Sequence, residues 1–147
     1  MNDTRILLKL TGEAFLNKEN KLDNSLIKAI AAQLKELQHS NKFGLVVGGG
    51  NFFRGSIQGK KLGLIPSNAH YIGMLATIMN GIIIKNIFDS MQLNSVLFCA
   101  LNCPEVADQI NQDKIDQALQ ENKIVIFTGG TGNPFFSTDT NALLRAL

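Results

Sequence analysis

The sequence predicts an α/β fold with a mostly parallel sheet and helices packed on its faces. Three observations carry that prediction. Strand-like and helical runs alternate along the chain, which is the order that builds parallel sheets through helical crossovers. The strand-like runs are mostly apolar rather than alternating, as expected of strands covered on both faces. Glycine-rich segments directly follow two of them, and ligands of open parallel sheets bind beyond the carboxyl ends of the strands.

The first strand is Arg5–Leu10 (RILLKL). A helix over Asp23–Gln38 follows, with Leu26, Ile30, Leu34 and Leu37 on one face and Asp23 or Asn24 placed to cap it. Phe43–Val47 (FGLVV) is the second strand. Ser67–Met91 reads as a long helix carrying Ile72, Leu75, Ala76, Met79, Ile83 and Ile87 at helical spacing. The third strand is Asn94–Cys99, after which Pro104 suits the first position of a short helix. A helix over Gln112–Glu121 leads to the fourth strand, Lys123–Thr128, and a last helix begins near Thr138. The amphipathic pattern of Thr140–Leu147 reaches the final residue without a helix stop signal, as the end of a domain or the cut of a fragment would show.

With 147 residues, 45% hydrophobic and 18% charged, the chain reads as one folded domain large enough for a real core. A net charge of +2 without a basic stripe gives no reason to expect a nucleic-acid partner. Lys60 and Lys61 read as a solvated loop. Cys99 and Cys103 match no usual zinc spacing, lie far from His39 and His70, and read as reduced structural thiols. The longest apolar stretch, Gly81–Ile84, is far short of the roughly 20 residues of a membrane span. No signal segment precedes the first strand, so a cytoplasmic protein is expected.

The chemistry concentrates at the glycine segments, Gly48–Gly50 followed by Arg54, and Gly129–Gly132 followed by Asn133. Glycine lets backbone N–H groups turn toward one anion, and the planar fork of Arg54 suits phosphate oxygens or a surface ion pair. Neither segment fits a P-loop or a dinucleotide fingerprint. Lys9 lies in an otherwise apolar run, so it faces an anion or carboxylate, or sends its ammonium to water past a packed stem. Thr131, Asn133, Ser137 and Thr138 offer short polar side chains. Asp139 could orient a lysine or cap the last helix, while Phe135 and Phe136 read as core. No serine–histidine–acid grouping and no carboxylate cluster for a tightly held metal is present. Phosphoryl transfer suits this inventory, because it asks mainly for positioned cations and amides.

Four motifs in order, Lys9-Leu10-Thr11-Gly12-Glu13-Ala14, Gly48–Gly55, Gly73–Gly81 and Gly130–Asp139, resemble the bacterial UMP kinases, the uridylate kinases of the amino-acid kinase superfamily. The resemblance implies a three-layer α/β sandwich, phosphorylation of UMP to UDP by MgATP in pyrimidine nucleotide synthesis, and a cytoplasmic homohexamer joined through the long helix. It implies that Lys9, Leu10, Thr11, Gly12, Gly50 and Arg54 meet ATP, with Lys9, Arg54 and Asp139 catalytic. Gly49, His70, Thr131, Gly132, Asn133, Pro134, Phe135, Phe136, Ser137 and Thr138 would meet UMP.

The chain departs from the family at several positions. His70 stands where an aspartate usually accepts from the ribose hydroxyls. Asn17–Asn20 replaces a region that is often glycine-rich and linked to GTP activation, and Thr11 replaces serine. Family members also continue past this length, so residues 1–147 correspond to the UMP-binding portion, with the adenine pocket and a second catalytic lysine lying beyond it. A second expectation is therefore a non-catalytic nucleotide-binding remnant or a subunit partner of a full-length kinase. A third, prompted by His70, is a related kinase with a different acceptor.

Overall fold

The computed structural model describes residues 4–147. Five strands form one open, all-parallel sheet: β1 (Thr4–Leu10), β2 (Asn41–Val47), β3 (Ser95–Cys99), β4 (Asp108–Gln109) and β5 (Ile124–Thr128), in spatial order β1-β2-β5-β3-β4. Four helices accompany them: α1 (Ser25–Leu37), α2 (Pro66–Ser90), α3 (Gln112–Gln120) and α4 (Thr138–Ala146).

The strand order explains the layers. Moving from β1 to β2 to β3 steps the chain in one direction across the sheet, and returning to β5 reverses it. Because parallel crossovers are right-handed, that reversal moves the helix to the opposite face. Two apolar clusters result. Leu45, Val47, Leu97, Cys99, Ile124 and Ile126 pack with Ile27 and Leu34 of α1 and Ile84, Ile87 and Phe88 of α2. The alternate residues Val46, Phe98, Val125 and Phe127 pack with Ile115 and Ala118 of α3 and with Ala142 of α4. The sheet is thus a middle layer between two helical ones, and its near-continuous apolar strands are buried on both sides.

Some elements differ from the expectation. The helix opening at Pro104 does not form: residues 104–106 make one turn, with the Val106 and Ala107 amides both donating to the Cys103 carbonyl. Proline at a first turn position suits a turn as well as a helix, and four residues later the chain is back in the sheet as β4, too short to leave a periodic signal. On α1 the covered face is Ile27, Ala31 and Leu34, with Ile30 partly covered, while Leu26 and Leu37 are exposed. Asn24 takes the cap position without a side-chain bond, and Asp23 Oδ1 accepts from the Ser25 amide at 2.6 Å. Hydrogen bonds from the Ser25 side chain and backbone hold the Asp23 carboxyl below the usual range.

On α2, Tyr71, Leu75, Met79 and Ile82 form an exposed apolar stripe, whereas Met74, Ala76, Thr77, Ile78, Asn80 and Gly81 face inward. Among the described residues, α2 is the helix long and apolar enough to cross a membrane, but half of that stretch is buried inside the protein, as in a core helix.

Candidate active site

The carboxyl ends of β1, β2 and β5 open onto one cleft of about 600 Å³. Lys9, the penultimate residue of β1, reaches it with Nζ 3.0 Å from Asp139 Oδ1 in the first turn of α4. Lys9 therefore faces a carboxylate. The Lys9 side chain keeps 30% of its exposure and that of Asp139 78%, so the pair is wet at its outer side and open to exchange with an incoming anion. Asp139 does not cap α4. Ser137 does, accepting from the Thr140 amide at 3.1 Å, which leaves Asp139 free to meet Lys9.

Arg54 follows the first glycine segment and pairs with Glu13, while its Nε donates weakly to the Gly50 carbonyl at 3.4 Å. Glu13 belongs to a 3₁₀ turn, Gly12–Phe15, that packs under the same segment. Arg54 precedes a π-helical turn, Gly55–Gly59, which leads toward α2.

Both glycine segments are tied to α2, and sequence reasoning gave the residues that tie them no role. Asn80 is fully buried, and its Nδ2 donates to the Gly48 carbonyl and to Asn51 Oδ1, both at 2.7 Å. The Asn51 amide returns a bond to Asn80 Oδ1 at 3.0 Å. One helical turn earlier, the Thr77 hydroxyl accepts from the Gly129 amide at 2.8 Å and donates to the Met74 carbonyl at 2.7 Å. Thr77 and Asn80, three residues apart, thus fix the two segments at a set separation. The available signal was the presence of polar residues on the inward face of an apolar helix. Gly49 shows how close the approach is: a Cβ there would stand 2.7–2.9 Å from Ala76 Cβ, the Gly73 carbonyl and the Thr77 amide.

The cleft gathers Lys9, Gly49, Gly50, Arg54, His70, Asn133, Phe136, Ser137, Thr138 and Asp139 from the residues named in the sequence. Gly130, Met74 and Phe53 also line it. Leu10, Thr11 and Gly12 do not line the cleft: the Leu10 carbonyl accepts from the Gly48 amide at 2.8 Å, Thr11 is exposed and Gly12 is buried. Thr131 closes a local turn, its hydroxyl donating to the Asn133 carbonyl at 3.1 Å, and Gly132 packs beside Ala100. Pro134 is partly buried. Phe135 and Phe136 are not core residues: they are 66% and 58% exposed. Phe135 takes a left-handed φ of 72° and places its ring 4.7 Å from that of His70. Among the described residues, no group of three or more histidine, cysteine or acidic side chains could hold a metal ion.

The cleft combines two cations, Lys9 and Arg54, with glycine backbone and with the rings of Phe53, His70 and Phe136. It suits a phosphorylated molecule with a planar or sugar portion. The chain is 44% identical over 146 residues to a protein named uridylate kinase from Mycoplasma genitalium, covering 97% of this chain and 59% of that protein. It is 47% identical to one so named from Mycoplasmopsis pulmonis, covering 97% and 60%. The crystal structure of UMP kinase from Ureaplasma parvum superposes with a TM-score of 0.92 at 31% identity, over 99% of this chain and 62% of that one. The chain therefore spans about 60% of the length of the relatives it matches. With the amino acid kinase family model matching residues 4–147, from the first described strand to the last helix, this chain belongs to the amino acid kinase family.

Proposed function

We propose that this chain carries the acceptor side of a kinase that moves the γ-phosphoryl group of ATP to UMP, giving UDP for pyrimidine nucleotide synthesis. The observation that carries this reading is the meeting of Lys9, the Gly48–Arg54 segment and the Gly130–Asp139 segment at one cleft. The names of the similar proteins supply the substrates.

In this reading Lys9 neutralises charge spreading over the transferred group, and Asp139 holds it in position until phosphate arrives. Arg54 exchanges Glu13 for phosphate oxygens, a low-cost trade because the ion pair is half-exposed on both sides. Loop amides at Gly49 and Gly50 complete the anion site. His70, Phe136 and the 131–138 run hold the uridylate. Magnesium enters as part of the MgATP substrate, carried on its phosphates, as is usual for this ion. The exposed stripe of α2 is the proposed contact with further copies, in the cytoplasmic homohexamer that the family resemblance implies. Neither nucleic acid nor membrane enters this reading.

A second reading has a specific observation behind it, the 60% span of the relatives' length. In this reading the chain binds uridylate, or pairs with a full-length subunit, without turnover. The 147-residue chain is titrated with UMP by calorimetry and then assayed for UDP with MgATP. UMP binding is expected in both readings, UDP formation refutes the second, and absence of UMP binding refutes the uridylate site of both.

A further inference from the structure

The two cysteines lie outside the chemistry assigned above. Cys99 ends β3, fully buried and in register with Thr128 of β5. Its sulfur accepts from the Leu101 amide at 3.3 Å, and the Thr128 and Cys103 side chains lie near enough to influence it. Cys103 is half-buried and packs on the same apolar cluster that contains Cys99. Only Ala100, Leu101 and Asn102 separate them.

This short stretch supports the second glycine segment. Gly129 adopts a φ of 75°, and a Cβ there would stand 2.9 Å from the Cys99 sulfur and 3.0 Å from the Ala100 and Leu101 amides. A Cβ on Gly132 would stand 3.1 Å from the Ala100 carbonyl. The wall of the cleft therefore rests on the backbone that joins the two thiols.

We propose that Cys99 and Cys103 form a thiol modification site, at which a peroxide-class oxidant generates an intrachain disulfide that reshapes the Gly129–Asn133 segment. Cys103, the more accessible sulfur, reacts first: its thiolate attacks a peroxide oxygen, the O–O bond breaks, and a sulfenic acid and hydroxide result. The Cys99 sulfur then attacks that of Cys103 and displaces its oxygen as water, forming the S–S bond. The two thiols lose two electrons, which reduce the peroxide, and their two protons leave in the water produced. Burial pushes the Cys99 thiol up, so the second step is the slower one. Turning the Cys99 sulfur toward Cys103 takes the acceptor from the Leu101 amide and the packing atom from Gly129. A bridge across so short a loop gains little chain entropy, which favours ready reduction.

The test treats the 147-residue chain with hydrogen peroxide and maps its peptides by mass spectrometry without reduction. Amide hydrogen exchange is followed at residues 129–133 before and after. The expected result is a Cys99–Cys103 cross-link, reversed by dithiothreitol and absent in Cys103→Ser, with altered exchange in that segment. Cys103→Ala serves the same control if the serine variant does not fold. Thiols that still alkylate separately, a Cys103 sulfinic acid without a cross-link, bridges only between chains, or unchanged exchange would each overturn the proposal. None of these readouts depends on the nature of the nucleotide.

Discussion

Lys9 and Asn80 show two different ways in which a polar residue survives in an apolar setting. Lys9 sits on a strand whose neighbours are apolar, yet strand geometry carries its ammonium to the sheet edge, where Asp139 meets it. In the proposed kinase, Lys9→Ala is expected to lower phosphoryl transfer by about 10²- to 10³-fold, the scale of one preorganised charge contact, as followed by coupled ADP release. Turnover at the wild-type rate would remove Lys9 from the mechanism. Asn80 instead is fully buried and satisfied, with donor and acceptor both engaged. Asn80→Ala leaves the Gly48 carbonyl and the Asn51 amide short of partners, at a cost of roughly 1–3 kcal/mol. Urea unfolding should show that loss, and a variant as stable as wild type would mean that water replaces the amide.

At the scale of elements, α4 delivers a carboxylate and α2 spaces two backbone segments. Ser137 caps α4, and Asp139 rides in its first turn, where a negative charge also complements the helix dipole. Ser137→Ala is expected to cost about 1 kcal/mol of stability, measured by thermal unfolding. Because Ser137 also belongs to the run proposed to hold uridylate, the same variant should weaken UMP binding; unchanged affinity would remove its hydroxyl from that site. On α2, two inward polar residues three positions apart hold Gly48 and Gly129, so helix periodicity itself sets the width of the cleft.

For the whole molecule, the exposed stripe of Tyr71, Leu75, Met79 and Ile82 is the feature a lone chain leaves unexplained. Scattered exposed apolar residues are ordinary, whereas a contiguous row on one helix is the contact surface proposed above. Leu75→Glu combined with Met79→Glu is expected to convert an oligomer into monomers in analytical ultracentrifugation while the far-ultraviolet circular dichroism stays unchanged. A wild-type chain that sediments as a monomer at micromolar concentration would refute that surface. The reversal of strand order also belongs to this scale, since the chain leaves the neighbouring strands β2 and β5 toward opposite faces and so opens a crevice at their carboxyl ends, where the two glycine segments lie.

The sequence by itself determined the strand and helix alternation, the parallel sheet, and the placement of Lys9 and both glycine segments at the carboxyl ends of the first, second and last strands. Apolar runs and glycine clusters are local signals, readable because each depends on a few adjacent residues. Tertiary structure alone decided which helix faces are covered, turning Leu75 and Met79 outward and Thr77 and Asn80 inward. It replaced the Pro104 helix with a turn and the strand β4, and brought Phe135 out of the core to meet His70. Those outcomes depend on what lies across the sheet or above the loop, and residues distant in sequence carry no periodic trace of one another.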